Sequence, residues 1–167
     1  MKATVSAAAA ATAVALSLIA GAAGAQAVRT ERNMSLELAN QIAAATVAAC
    51  AAGNYNVSVA VVDRAGVLRA LQRADNAGPH TVSAAQGKAY TSASARANTT
   101  AMLENVQKNP GAQTLGDIPG FLVLGGGVPV RVGNEVIGAV GVGGAPGGHL
   151  DEQCANAGVA KVADLLK

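Results

Sequence analysis

His80 and His149 each stand in a glycine-containing loop immediately before a stretch of helical character. An imidazole so placed can offer one axial nitrogen to a macrocyclic metal, which needs only one or two protein donors. Neither has the close histidine, cysteine or carboxylate neighbours of a zinc site. Arg73, Asp75 and Lys88 are the other pointed polar residues: Arg73 closes a strand, Asp75 opens a loop, and Lys88 lies inside a helix of small residues. Two readings compete for them. In one, Arg73 pairs with Asp75 while Lys88 runs its stem along the surface to put its charge in water. In the other, Arg73 and Lys88 rim a shared pocket and meet the carboxylates of a ligand. Residues 143–150 feed a helix N-terminus, whose free N–H groups suit a carboxylate or propionate. No Ser-His-Asp, Cys-His or paired-carboxylate arrangement stands out, and Asp63 and Asp75 read as turn formers. The glycine runs at 125–127 and 141–144 lack the spacing and the Lys-Ser/Thr pair of a phosphate loop. Such glycines instead let strands turn and approach a neighbouring backbone.

Elements must position these groups, and the chain supplies them in a clear order. Ser35 can cap a helix running to about Ala52, which Gly53 ends. Residues 57–62 form a β-branched buried strand, Asp63 to Gly66 a tight turn, and Val67 to Arg73 the partner strand of a hairpin. Thr81 can cap a helix to about Ala95 and Asn98 a second to about Lys108, broken by Asn109-Pro110-Gly111. After a loop over 112–119 come strands at 121–124 and 128–132, a Gly133-Asn134 turn, and a returning strand from Glu135 to Val142. Asp151 caps a last helix reaching Leu166. The order helix, two strands, two helices, three strands, helix describes an α+β domain with an antiparallel sheet covered by helices.

Cys50 falls near the end of the first helix and Cys154 in the first turn of the last. A disulfide would tie the two ends of the domain together; two buried thiols are the alternative, and the residues leave both open. Export bears on that choice. Met1-Lys2, an alanine-rich apolar run through Ile19, and the overlapping sites Ala23-Gly24-Ala25 and Ala25-Gln26-Ala27 have the order of a secretory signal peptide over residues 1–27. The expectation is a periplasmic or extracellular single domain over 28–167, with no membrane insertion once the signal is removed.

With 12 basic and 10 acidic residues the chain is close to neutral, which argues against a nucleic-acid partner. Its aromatic residues are Tyr55, Tyr90 and Phe121, too few for base stacking. A core of valine, leucine, isoleucine and alanine buries modest area per subunit, so a homo-oligomer is expected to complete it.

Several spaced segments together resemble a known family. They are residues 61–66 (Val-Val-Asp-Arg-Ala-Gly), 73–77 (Arg-Ala-Asp-Asn-Ala), 86–91 (Gln-Gly-Lys-Ala-Tyr-Thr), 126–130, 136–144 and 151–155 (Asp-Glu-Gln-Cys-Ala). In order and spacing they are similar to the GlcG/HbpS family, which includes the C-terminal domain of PduO-type proteins. Where that family usually has serine in a Gly-Val-Ser-Gly stretch, this chain has Gly143. The resemblance implies a five-stranded antiparallel sheet with helices on its faces and assembly into homo-oligomers. It also implies, from the exported members that bind haem, a haem or tetrapyrrole ligand for sensing, scavenging or handling. His80 or His149 would then ligate iron, with Arg73 or Lys88 beside the propionates. Two other functions compete: a binder or enzyme for a small carboxylic metabolite, suggested by glycolate-linked relatives, and a structural oligomer with no small ligand.

Overall fold

Helix α1 (Leu36–Ala52) starts where Ser35 Oγ accepts the Leu38 N–H and ends at Gly53, as capping chemistry requires. The structure, a computed structural model, describes residues 28–167. The alanine-rich run read as a signal peptide lies outside them. After α1 come β1 (Ser58–Asp63), β2 (Leu68–Arg73), α2 (Thr81–Ala95), α3 (Thr99–Lys108) and a 3₁₀ segment over Pro110–Asp117. Then follow β3 (Gly127–Val132), β4 (Glu135–Gly143), α4 (Gly148–Lys161) and a short 3₁₀ turn over Ala163–Leu165. Among the described residues no helix is long and apolar enough to cross a membrane.

The sheet has four strands in the order β2-β1-β4-β3, every neighbouring pair antiparallel. The expectation of five strands is thus overturned. Residues 121–124 do not join the ladder, because side chains take up their backbone groups. Thr91 Oγ1 accepts the Leu122 N–H at 2.7 Å, and Thr99 Oγ1 donates to the Leu124 carbonyl at 2.7 Å. Gly126, with φ of 122°, then turns the chain into β3. The α+β class itself stands.

Residues of β1 are buried on both faces of the sheet. Val57, Val59 and Val61 pack with Val140 and Val142 of β4 against Ile42 and Ala43 of α1 and Ala155 of α4. The Cys50–Cys154 disulfide joins those two helices on this side, with Cα atoms 5.2 Å apart. On the opposite face Ala60, Val62 and Ala139 meet Ala85, Ala89 and Ala93, which recur every fourth residue along α2. One face is a valine core. The other is built from alanine and glycine.

Hairpin β1–β2 turns on Asp63, whose Oδ1 accepts the N–H groups of Ala65 and Val67, with Gly66 at φ of 79°. Its Oδ2 accepts from Arg69 Nε at 3.2 Å. Strand β2 forms an edge with most residues exposed or half-buried, leaving Leu68 and Leu71 at the surface.

Candidate functional site

Small residues on α2 set its distance from the sheet, and that distance creates the site. At Gly141 a Cβ would collide with the carbonyl oxygen of Ala85, and at Gly127 with that of Lys88. Only glycine there lets the helix backbone lie directly on the strands. Held so close, α2 carries a cavity on each flank.

The wider cavity, about 490 Å³, is mostly apolar and lies where the β1–β2 hairpin, α2 and residues 120–122 meet. Val62, Leu68, Gln86, Tyr90, Phe121 and Leu122 are among its walls. Tyr90 and Phe121 meet edge to face with centroids 6.1 Å apart. Two of the chain's three aromatic residues therefore converge on one cavity. Thr91 fixes the far wall: its hydroxyl donates to the Gly87 carbonyl at 2.7 Å while accepting the Leu122 N–H.

The smaller cavity, about 280 Å³, opens on the other flank between α2, Leu124 and the loop from Gly143 to Gly148. Lys88 lines it at only 2 % exposure, with Nζ 2.7 Å from Asp151 Oδ2. The other oxygen of Asp151 accepts the Ala145 N–H at 3.0 Å. Burial pushes the Asp151 carboxyl above its ordinary range, outweighing the hydrogen bond and the charge of Lys88 and the Ala145 N–H, which pull it down. Here the expectation that Asp151 caps α4 gives way. The helix starts four residues earlier, with Gly147 at its N-cap. Nor does the Lys88 ammonium reach solvent; it is buried in an ion pair between α2 and α4.

Of the four residues expected to hold a ligand, the structure brings only His80 and Lys88 to one cavity. His80 is exposed, at the N-cap of α2, its ring folded back over Gly78. His149 is also exposed, its ring over Gly147 in the same manner. Exposed Arg73 donates to the carbonyl of Ala77. Among the described residues no group of three or more histidine, cysteine, aspartate or glutamate side chains could hold a metal ion.

Sequence reasoning missed Asp151, Tyr90 and the two threonines that pin residues 121–127. A lysine inside a helix of small residues was the available signal for Asp151, since a buried ammonium requires an anionic partner. The few aromatic residues were the signal for Tyr90.

Similarities to known proteins agree on one family. The family model for "Haem degrading protein HbpS-like" matches residues 34–160. Protein GlcG of Escherichia coli (strain K12) is 38% identical over 115 residues, which are 69% of this chain and 84% of GlcG. A crystal structure of a doubly substituted HbpS from Streptomyces reticuli superposes with a TM-score of 0.77 at 39% identity, covering 92% of this chain and 98% of that one. A PduOC:heme complex shares the fold, with a TM-score of 0.68 at 23% identity over 77% of this chain and 94% of that one.

Proposed function

The chain belongs to the HbpS-like family, and from that premise we propose that it is an exported, homo-oligomeric haem-binding protein that seats the macrocycle in the wide cavity beside α2. The observation that carries this reading is the convergence of Tyr90 and Phe121 on the wider and more apolar of the two cavities. A tetrapyrrole needs apolar walls, an axial donor, and polar groups at the rim for its propionates. The residues present fit that need. Val62, Leu68, Phe121 and Leu122 give apolar walls, and Ser83 and Gln86 lie among the lining residues. Tyr90 carries a partly exposed phenol beside them, and phenolate oxygen is one of the known ligands of haem iron. Bound haem supplies iron-centred redox and oxygen chemistry; the protein holds and orients the ring and limits its access to water. His80, at the N-cap of α2, lines the smaller cavity instead and is not among the residues of this one.

Export rests on the signal-like order of residues 1–27. Assembly is supported by the apolar side chains left at the surface around the β1–β2 hairpin, Val67, Leu68 and Leu71, with Ile118 also exposed.

Titration of the purified protein with haemin, with albumin as competitor, tests the reading. A saturable Soret band at one haem per chain that survives competition is expected. Tyr90→Phe should change that band, whereas His80→Ala combined with His149→Ala should leave it unchanged; the opposite pattern would move the ligand away from the wide cavity. A drifting signal stripped by albumin would overturn the proposal.

A further inference from the structure

The walls of the wide cavity carry no formal charge. Its lining includes no histidine, cysteine, methionine, lysine, arginine, aspartate or glutamate. Lys88 and Arg69, each next in sequence to a lining residue, pair instead with Asp151 and Asp63. Three polar side chains remain in the wall: Ser83, Gln86 and Tyr90. Ser83 already gives its hydroxyl hydrogen to the His80 carbonyl at 3.1 Å, and Gln86 has a neutral amide. Tyr90 is the one that can meet a metal as an anion. Its ring is fixed before any ligand arrives. Gly66 at φ of 79° and Gly120 at φ of 86° close on opposite edges of it. A Cβ would lie 2.7 Å from Cδ2 at the first and 3.2 Å from Cε1 at the second. Phe121 meets the ring edge to face. The hydroxyl makes no hydrogen bond among the described residues, and the side chain is 37 % exposed. The phenol is therefore held in place with its oxygen uncommitted, so little ordering is left for a ligand to impose.

We propose that Tyr90 makes this cavity selective for the charge of the metal in a porphyrin, so that it retains a trivalent metal, ferric iron included, and discriminates against a divalent one. The inference rests on the haem reading of the cavity and adds the oxidation state that the site takes. To bind a metal, the Tyr90 phenol gives its proton to water as the metal–oxygen bond forms. A porphyrin ring carries two negative charges, so a trivalent metal leaves one positive charge at its centre, which the phenolate cancels. With a divalent metal the same bond would leave a net negative charge among Val62, Leu68 and Phe121, and no cation in the wall meets it. An unpaired charge is costly in such surroundings. The neutral imidazole or thioether that would serve a divalent metal is missing from the lining. Tyr90 thereby links retention to redox state. When a one-electron reductant such as dithionite converts bound ferric iron to ferrous, the iron–oxygen bond breaks and the Tyr90 oxygen takes a proton back from water.

Fluorescence titration of the purified protein with the protoporphyrin complexes of gallium(III) and zinc(II), and with metal-free protoporphyrin, tests the inference. These probes separate the charge of the metal from redox chemistry and from apolar contact with the ring. The gallium complex should bind about tenfold or more tighter than the zinc complex, and the zinc complex should match the metal-free ring. Tyr90→Phe should level all three affinities. Its exposed position and unbonded hydroxyl let that variant keep the wild-type fold, which an unchanged melting temperature checks. Dithionite added under argon to the haemin-loaded wild type should speed transfer of the haem to apomyoglobin, and should have a much smaller effect on Tyr90→Phe. Equal affinity for the gallium and zinc complexes, or a preference that survives Tyr90→Phe, would overturn the inference while saturable haemin binding kept the haem reading standing. Failure of both haemin and the gallium complex to bind saturably would overturn the two together.

Discussion

The two faces of the sheet solve the same packing problem with different residues. On the α1–α4 face, branched valine and isoleucine side chains fill the space between strands and helices, and a disulfide fastens the helices together. On the α2 face, alanines and glycines nearly eliminate that space, so α2 rests on the strand backbones themselves. Large side chains make a core that excludes everything else. Small ones bring a helix close to the sheet, and the chain must bridge the resulting gaps with loops and a buried ion pair. Stability is thereby concentrated on one side and ligand-sized space on the other.

Removing the disulfide is the strongest way to test that division. It closes a loop with a sequence separation of 104 between α1 and α4. On the chain-entropy model a loop of this size contributes about 4–5 kcal/mol, an upper figure for a pair that packs well without the bond. The double variant Cys50→Ala/Cys154→Ala should lose stability of that order in urea denaturation. Haemin titration of the folded variant should match the wild type. If haem binding collapsed while the fold persisted, the two faces would be coupled and the comparison would fail.

A smaller effect comes from the other face. Gly141→Ala places a methyl group against the Ala85 carbonyl and the Ala89 backbone nitrogen, neither of which can rotate away. Overpacking of this kind costs about 1–3 kcal/mol. It should also lift α2 and weaken ligand binding on its flanks. A variant with wild-type binding and a reduced melting temperature would show that the cavities do not depend on the close seat of α2.

What the sequence made legible follows the same line. Period and punctuation placed α1 by Ser35 and Gly53, the first hairpin by Asp63 and Gly66, and β3–β4 by Gly133-Asn134, because those signals are local. Residues 121–124 read as a strand because their composition is apolar, yet Thr91 and Thr99, distant in sequence, bind their backbone. Lys88 was conspicuous as a lone charge among small residues, but its partner lies 63 positions away. Asp151 looked like a cap because aspartate before a helical stretch usually is one. Only the earlier start of α4 at Gly148 turns that side chain inward. Arg73 and His149 had the right chemistry for a ligand and were placed by the fold outside both cavities.

The smallest expected effect concerns that aspartate and follows from the direction of its shift. Burial raises the Asp151 carboxyl above its ordinary value of 3.8, with the contributions of Lys88 and Ala145 outweighed. Below that value both the folded and the unfolded chain carry the proton, and Asp151 contributes no pH dependence. As the pH rises through 3.8 the unfolded chain releases its proton first, while the folded chain holds it up to the raised value. The folded state then binds more protons than the unfolded one, so stability falls with rising pH across that window and stays lower above it. Asp151→Asn removes this titration and keeps an acceptor beside Lys88. The difference in unfolding free energy, wild type minus Asp151→Asn, should therefore decline from below pH 3.8 to neutrality in parallel denaturation series. A difference that grows with pH would mean that attraction to Lys88 prevails over desolvation. The pair would then be a stabilising strut between α2 and α4, and the α2 face would share the structural role assigned here to the valine core.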